Sequence, residues 1–173
     1  MDSNALRSIQ QPLKEKYRSD PQSAVITLRA EGALGEGVTC SVETGRALVE
    51  AGLHPATGGS GLSVCSGDML LQALVACAGV TMNAVATSLG VALDRGIVRA
   101  EGDLDFRGTL GVDKSAPVGF RAIRLSFELE TGAEPAAVEK LVQLTERYCV
   151  VYQTLRSSPE LSVRVATPGR TAA

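Results

Sequence analysis

Met69–Leu93, MLLQALVACAGVTMNAVATSLGVAL, contains no charged residue and one cysteine, Cys77. The run predicts a helix over residues 68–93 that is apolar on nearly every side, the pattern of a buried central helix rather than a surface one. It is also long enough to raise a membrane span, which needs about 20 apolar residues. Gln72, Thr81, Asn83, Thr87 and Ser88 interrupt it, and neither end carries an aromatic belt or a Lys/Arg cluster. The expectation is a soluble protein built around this helix, with no membrane partner.

Upstream lies a Gly-rich loop, Leu53–Gly67, holding His54, Pro55 and GGSG. Before it come AVITLRAEG from Ala24, then GVTCSVET, then RALVEAG, with Gly32, Gly35, Gly37 and Thr44-Gly45 as punctuation. Closely spaced strands with such turns predict an antiparallel meander over 24–52. Ser3–Ser19 can form a short amphipathic helix ended near Pro21, a lead-in over 1–21. Downstream, GIVRAEGDLDFRG and VGFRAIRLSFELET read as strands within 97–131. Ile123 to Leu129 alternate cleanly, with Arg124, Glu128 and Glu130 on the other face, so one side is wet. A second helix follows over 135–156, PAAVEKLVQLTERYCVVYQTL, with Pro135 in its first turn and Ser157-Ser158-Pro159 as its stop. Val138, Leu141, Val142, Thr145, Tyr148, Cys149 and Tyr152 form its inward stripe. LSVRVAT gives a last strand over 160–167. The whole reads as one α+β domain.

The 173 residues are 45% apolar and carry a net charge of −2, so a sizeable core is available. No basic face is indicated, and aromatic residues are only 3% with no Trp, which argues against a nucleic-acid partner. The polar N-terminus lacks an apolar signal core, so the cytoplasm is expected, where structural disulfides are disfavoured. Four cysteines, Cys40, Cys65, Cys77 and Cys149, stand far apart, and His54 is the only histidine. That pattern gives no metal site. GGSGLS lacks the spacing of a nucleophile elbow, and the Gly-rich loop carries no G-K-[ST]. Cys40 alternates within a strand as a structural residue, and Cys65 precedes the helix. Cys77 and Cys149 are open to two readings, reactive thiols or small core residues. A reactive Cys77 lies too far inside its helix for the dipole to reach, so an Arg brought in by the fold is expected beside it. Arg147 faces another direction from Cys149. Asp68, in the first helical turn, is open to capping and to catalysis.

Two segments, GGSGLSVCSGDMLLQALVACAGVTMNAVA (58–86) and ERYCVVYQTL (146–155), resemble the cysteine segments of the OsmC/Ohr family of hydroperoxide-handling proteins. LKEKYRSDPQSAVITLRAEG (13–32) is similar to the lead-in of some OsmC-like members. The resemblance implies antiparallel sheets around two long central helices, in an intertwined homodimer with the active site at its interface. It also implies Cys77 as the peroxide-attacking thiol, Cys149 as the resolving thiol, and Asp68 at the acidic position that partners an Arg. The substrate would be an organic hydroperoxide and the reductant a dithiol, with no cofactor. Two positions depart from the family. GEGVTC (35–40) has Val38 where an Arg is expected, leaving Arg29 and Arg46 as nearby candidates, and Val150 follows Cys149 where Pro is common. Two other readings stand beside this one: a non-catalytic module binding an apolar small molecule, and a single-cysteine hydrolase or transferase.

Overall fold

The computed structural model describes residues 2–5, 8, 11, 19, 32–34, 39–43, 48–111 and 113–166, with 32–34, 39–43 and 48 by backbone alone. Its centre is helix α1, Ser66–Leu89. Leu74, Ala78, Met82 and Ala86, spaced four apart, are buried along one stripe of it. The helix stops short of the end of the apolar run because Gly90 takes a left-handed conformation (φ 70°). There Val91 N–H donates to Ala86 O at 2.9 Å and Gly90 N–H to Thr87 O at 3.3 Å, satisfying the last carbonyls.

Strands β1 (Gly32–Leu34), β2 (Thr39–Glu43) and β3 (Leu48–Gly52) pair antiparallel in chain order. The expected meander thus stands over those residues, while the 24–31 stretch lies outside the described ones, as do Arg29, Val38 and Arg46. Strand β4 (Val64–Cys65) joins β3 in parallel, Gly52 facing Cys65, and delivers the chain into α1. The loop between them is tight. A Cβ on Gly59 would stand 1.7 Å from Leu53 O, so no side chain fits there.

Strands β5 (Arg95–Asp103) and β6 (Ala122–Glu130) form a second antiparallel sheet, in register from Arg95↔Glu130 to Asp103↔Ala122. Ile123, Leu125, Phe127 and Leu129 point inward, as the alternation required, and pack on the α1 stripe. The outer face pairs its charges, Arg95 with Glu130, Arg99 with Glu128 and Arg124 with Asp103. Such exposed pairs contribute about 0–1 kcal/mol each. Between the strands, Phe106–Thr109 makes a single helical turn, α2, capped by Asp105.

Three expectations change. The second helix is not continuous: α3 (Pro135–Tyr148) and α4 (Val150–Arg156) meet at Cys149, whose backbone is extended (φ −72°, ψ 109°). Tyr148 therefore leaves the inward stripe and is 59% exposed, whereas Leu141 and Thr145 are fully buried. Residues 160–166 form no strand with any described residue, and Leu161, Val163 and Val165 are exposed. Within the N-terminal lead-in, the described residues 3–5, 8, 11 and 19 are helical.

Candidate functional site

The break at Cys149 is built from hydrogen bonds that would otherwise be missing at two helix ends. Cys149 N–H still donates to Thr145 O at 2.9 Å, closing α3, and its own carbonyl accepts from Gln153 N–H at 3.0 Å, opening α4. The Gln153 side-chain amide reaches back to Glu146 O at 2.8 Å, holding the two helices together across the joint. The N–H groups of Val150, Val151 and Tyr152, in the first turn of α4, have no helical carbonyl to bond. All three find sulfur.

Cys77 lies half-buried on α1, in the cluster that joins Leu74, Ala78 and Cys149, with Val151 and Tyr152 against it. Both cysteines are reduced. Burial alone would push the Cys77 thiol up. The N–H of Val151, the S–H of Cys149, the N–H of Val150 and the Thr81 hydroxyl all donate to its sulfur and outweigh that, so it ionises below the ordinary thiol range. Cys149 goes the other way. Burial pushes it up, its bond to Cys77 adds to this, and the Tyr152 N–H offsets only part. One pair of thiols is thus divided into a thiolate-prone member and a proton-holding one. Among the described residues no guanidinium acts on Cys77, and the expected Arg candidates Arg29 and Arg46 lie outside them. Thr81, one turn along α1 from Cys77, and the two amides of α4 were missed from sequence. Only Thr81 had a readable signal, its spacing of four on the same helix face.

Asp68 is not brought to the pair. It lies about 13 Å away along the α1 axis at about 1.5 Å per residue, exposed in the first turn. It lines a small cavity of about 160 Å³ with His54 and Cys65. This is not a catalytic dyad. His54 Nδ1 accepts the Ala56 N–H at 3.0 Å, so the neutral ring keeps its proton on Nε2 and offers no base there. Its ring stacks on Phe106 at 5.0 Å, so the histidine works as a cap and a packing surface. Cys65 is the residue before α1 and makes no capping bond. Among the described residues no group of His, Cys, Asp and Glu could hold a metal ion.

Next to the thiols opens a cavity of about 540 Å³. Leu74 and Tyr152, which pack in the thiol cluster, form its inner wall, with Leu70, Ile123, Leu125 and Leu155 around it. Its size suits a small organic ligand.

A family model described as OsmC-like protein matches residues 59–164, the greater part of the chain, both cysteine segments included. Solved structures share the fold. An OsmC-like protein from Mycoplasma pneumoniae superposes with a TM-score of 0.65 at 16% identity, over 77% of this chain and 89% of that one. An organic hydroperoxide resistance protein from Elizabethkingia anophelis, with thiocyanate bound, gives 0.62 at 15% identity, over 78% and 91%. The organic hydroperoxide resistance protein OsmC of Legionella pneumophila gives 0.60 at 18% identity, over 77% and 91%. No curated protein matches the sequence significantly.

Proposed function

This chain belongs to the OsmC-like protein family, and on that premise we propose that it reduces organic hydroperoxides with Cys77 as the attacking thiol and Cys149 as the resolving one. The observation that carries the reading is the division of the pair, with Cys77 held below and Cys149 above the ordinary thiol range by their contacts. The Cys77 thiolate attacks the distal oxygen of the hydroperoxide. An S–O bond forms, the O–O bond breaks, and the alkoxide leaves to take a proton as the alcohol. Cys149 then attacks the sulfenic acid; the S–S bond forms and hydroxide leaves, taking the Cys149 proton as water. A dithiol reductant resets the pair by exchange, itself becoming a disulfide.

The site works as a homodimer in the cytoplasm, as part of a response to oxidative stress. In support of the dimer, α1 buries only one stripe in this protomer, and Val80 on another face is 72% exposed. Asp68 acts at the start of α1, where a carboxylate favours the helix dipole, rather than in the proton path. A second reading, an apolar-ligand module without turnover, draws on the 540 Å³ cavity.

The test is direct. Reduced protein treated with a stoichiometric organic hydroperoxide should give one Cys77–Cys149 disulfide on peptide mapping. Cys77→Ser should abolish turnover. Cys149→Ser should consume a single equivalent and stop at the sulfenic acid. Peroxide left intact beside reduced thiols would hand the site to the second reading.

A further inference from the structure

In a continuous helix the carbonyl of Glu146 accepts the N–H of Val150, four residues on. Across the joint it does not. The extended backbone of Cys149 ends α3, where Cys149 N–H still reaches Thr145 O at 2.9 Å. One residue later Glu146 O takes the Gln153 side-chain amide instead, at 2.8 Å, in a part-buried bond. The backbone N–H of the same Gln153 closes the first turn of α4 onto Cys149 O at 3.0 Å. A single residue thus bonds both sides of the break. The N–H that it replaces on Glu146 O, that of Val150, goes to the Cys77 sulfur. A part-buried carbonyl left without a donor costs about 1–3 kcal/mol. Without Gln153, winding Val150 N–H back onto Glu146 O and running α3 into α4 would remove that cost.

We propose that Gln153 is a positioning residue of the thiol site: its amide takes the place of the Val150 N–H on Glu146 O and so leaves that N–H to Cys77. The inference rests on the two-thiol reading of the site and deepens it, since Gln153 acts through the backbone of Val150 rather than on the sulfur itself. The surroundings of Cys77 give the amides their influence. The titratable groups in its cluster are Cys149, at the joint, and Tyr152, on α4, whose hydroxyl reaches Glu146 Oε2 at 3.5 Å. β5 and β6 turn Val98, Ala100, Ile123 and Leu125 toward the same cluster, while Arg99 pairs with Glu128 and Arg124 with Asp103 on their outer face. A residue that merely stitched α3 to α4 would change stability and leave the ionisation of Cys77 where it is.

The experiment follows alkylation of Cys77 by iodoacetamide against pH, resolved from the other cysteines by peptide mapping. It compares the full-length wild type with Gln153→Met, Val150→Pro and the double variant. Methionine keeps the length and helix propensity of glutamine but donates no hydrogen bond, and proline removes the Val150 N–H outright. Gln153→Met should move the profile upward, with the rate at neutral pH down about threefold or more, as the loss of one hydrogen bond to the sulfur predicts. In the Val150→Pro background the same change should do nothing further, because the N–H through which Gln153 acts is already gone. A profile unmoved in Gln153→Met, or a shift of the same size in both backgrounds, overturns the proposal. Gln153→Ala repeats the test with a second side chain that cannot donate, and urea unfolding of each variant ensures that folded proteins are compared. No peroxide enters the assay, so its result is separate from that of the peroxidase reading. A wild type that leaves organic hydroperoxide unconsumed removes that reading, and Gln153 is still judged by the alkylation of Cys77.

Discussion

Val150 stands where the family commonly has a proline, and the difference is one hydrogen atom that matters to Cys77. A proline has no N–H; Val150 has one, and it donates to the Cys77 sulfur alongside that of Val151. Among the described residues no guanidinium acts on Cys77, and the N–H that a proline would lack is one of its donors. Val150→Pro is compatible with the first position of a helix, so α4 should still form. It should raise the pH at which Cys77 ionises. The sign follows from the lowered thiol: thiolate is present below the free-thiol value of about 8.5 and is lost only as pH falls through the site's own lower value. The pH profile of Cys77 alkylation by iodoacetamide should therefore move upward in Val150→Pro and stay in place in Val150→Ala, which keeps the N–H. A profile unmoved by the proline would falsify the amide account. The candidate thiols could be read from sequence because Cys77 sits in an uncharged helix and Cys149 in a recognisable segment. Their donors could not, since a backbone N–H has no letter of its own and its aim depends on a break that the letters do not announce.

The joint between α3 and α4 is where the chemistry meets the fold. Helical spacing runs through Cys149 without interruption, from Leu141 and Thr145 to Tyr152, so periodicity predicts one helix. The only local hint of a break is the β-branched pair Val150-Val151, a weak one. By contrast, the β6 face was legible because burial selects every second residue and a slip of one would expose Ile123, Leu125 and Phe127 together. Residues 160–166 show the limit of that rule: they alternate, yet pair with no described strand. Two substitutions test the elements. Leu141→Ala empties a fully buried position and should cost about 2–5 kcal/mol in urea unfolding. Gly90→Ala, forced into the left-handed cap of α1, should cost about 1–2 kcal/mol. A Gly90→Ala protein as stable as the wild type would mean that α1 does not end in a left-handed cap at Gly90.

For the molecule as a whole, the feature that decided the fold in the sequence is also the one a single chain leaves unfinished. α1 carries no Lys or Arg and only Asp68 near its start, yet buries just Leu74, Ala78, Met82 and Ala86 of its length. Val80 and the tail residues Leu161, Val163 and Val165 remain open. The proposed homodimer covers such surface. The wild type should sediment as a dimer at micromolar concentration, and Val80→Glu should shift it toward monomer; a wild type that is monomeric there removes the dimer from the account. A helix completed by another copy of itself has a further consequence, because folding then becomes a second-order event. The melting temperature climbs with protein concentration, and a cell making half as many chains retains fewer than half as many working ones.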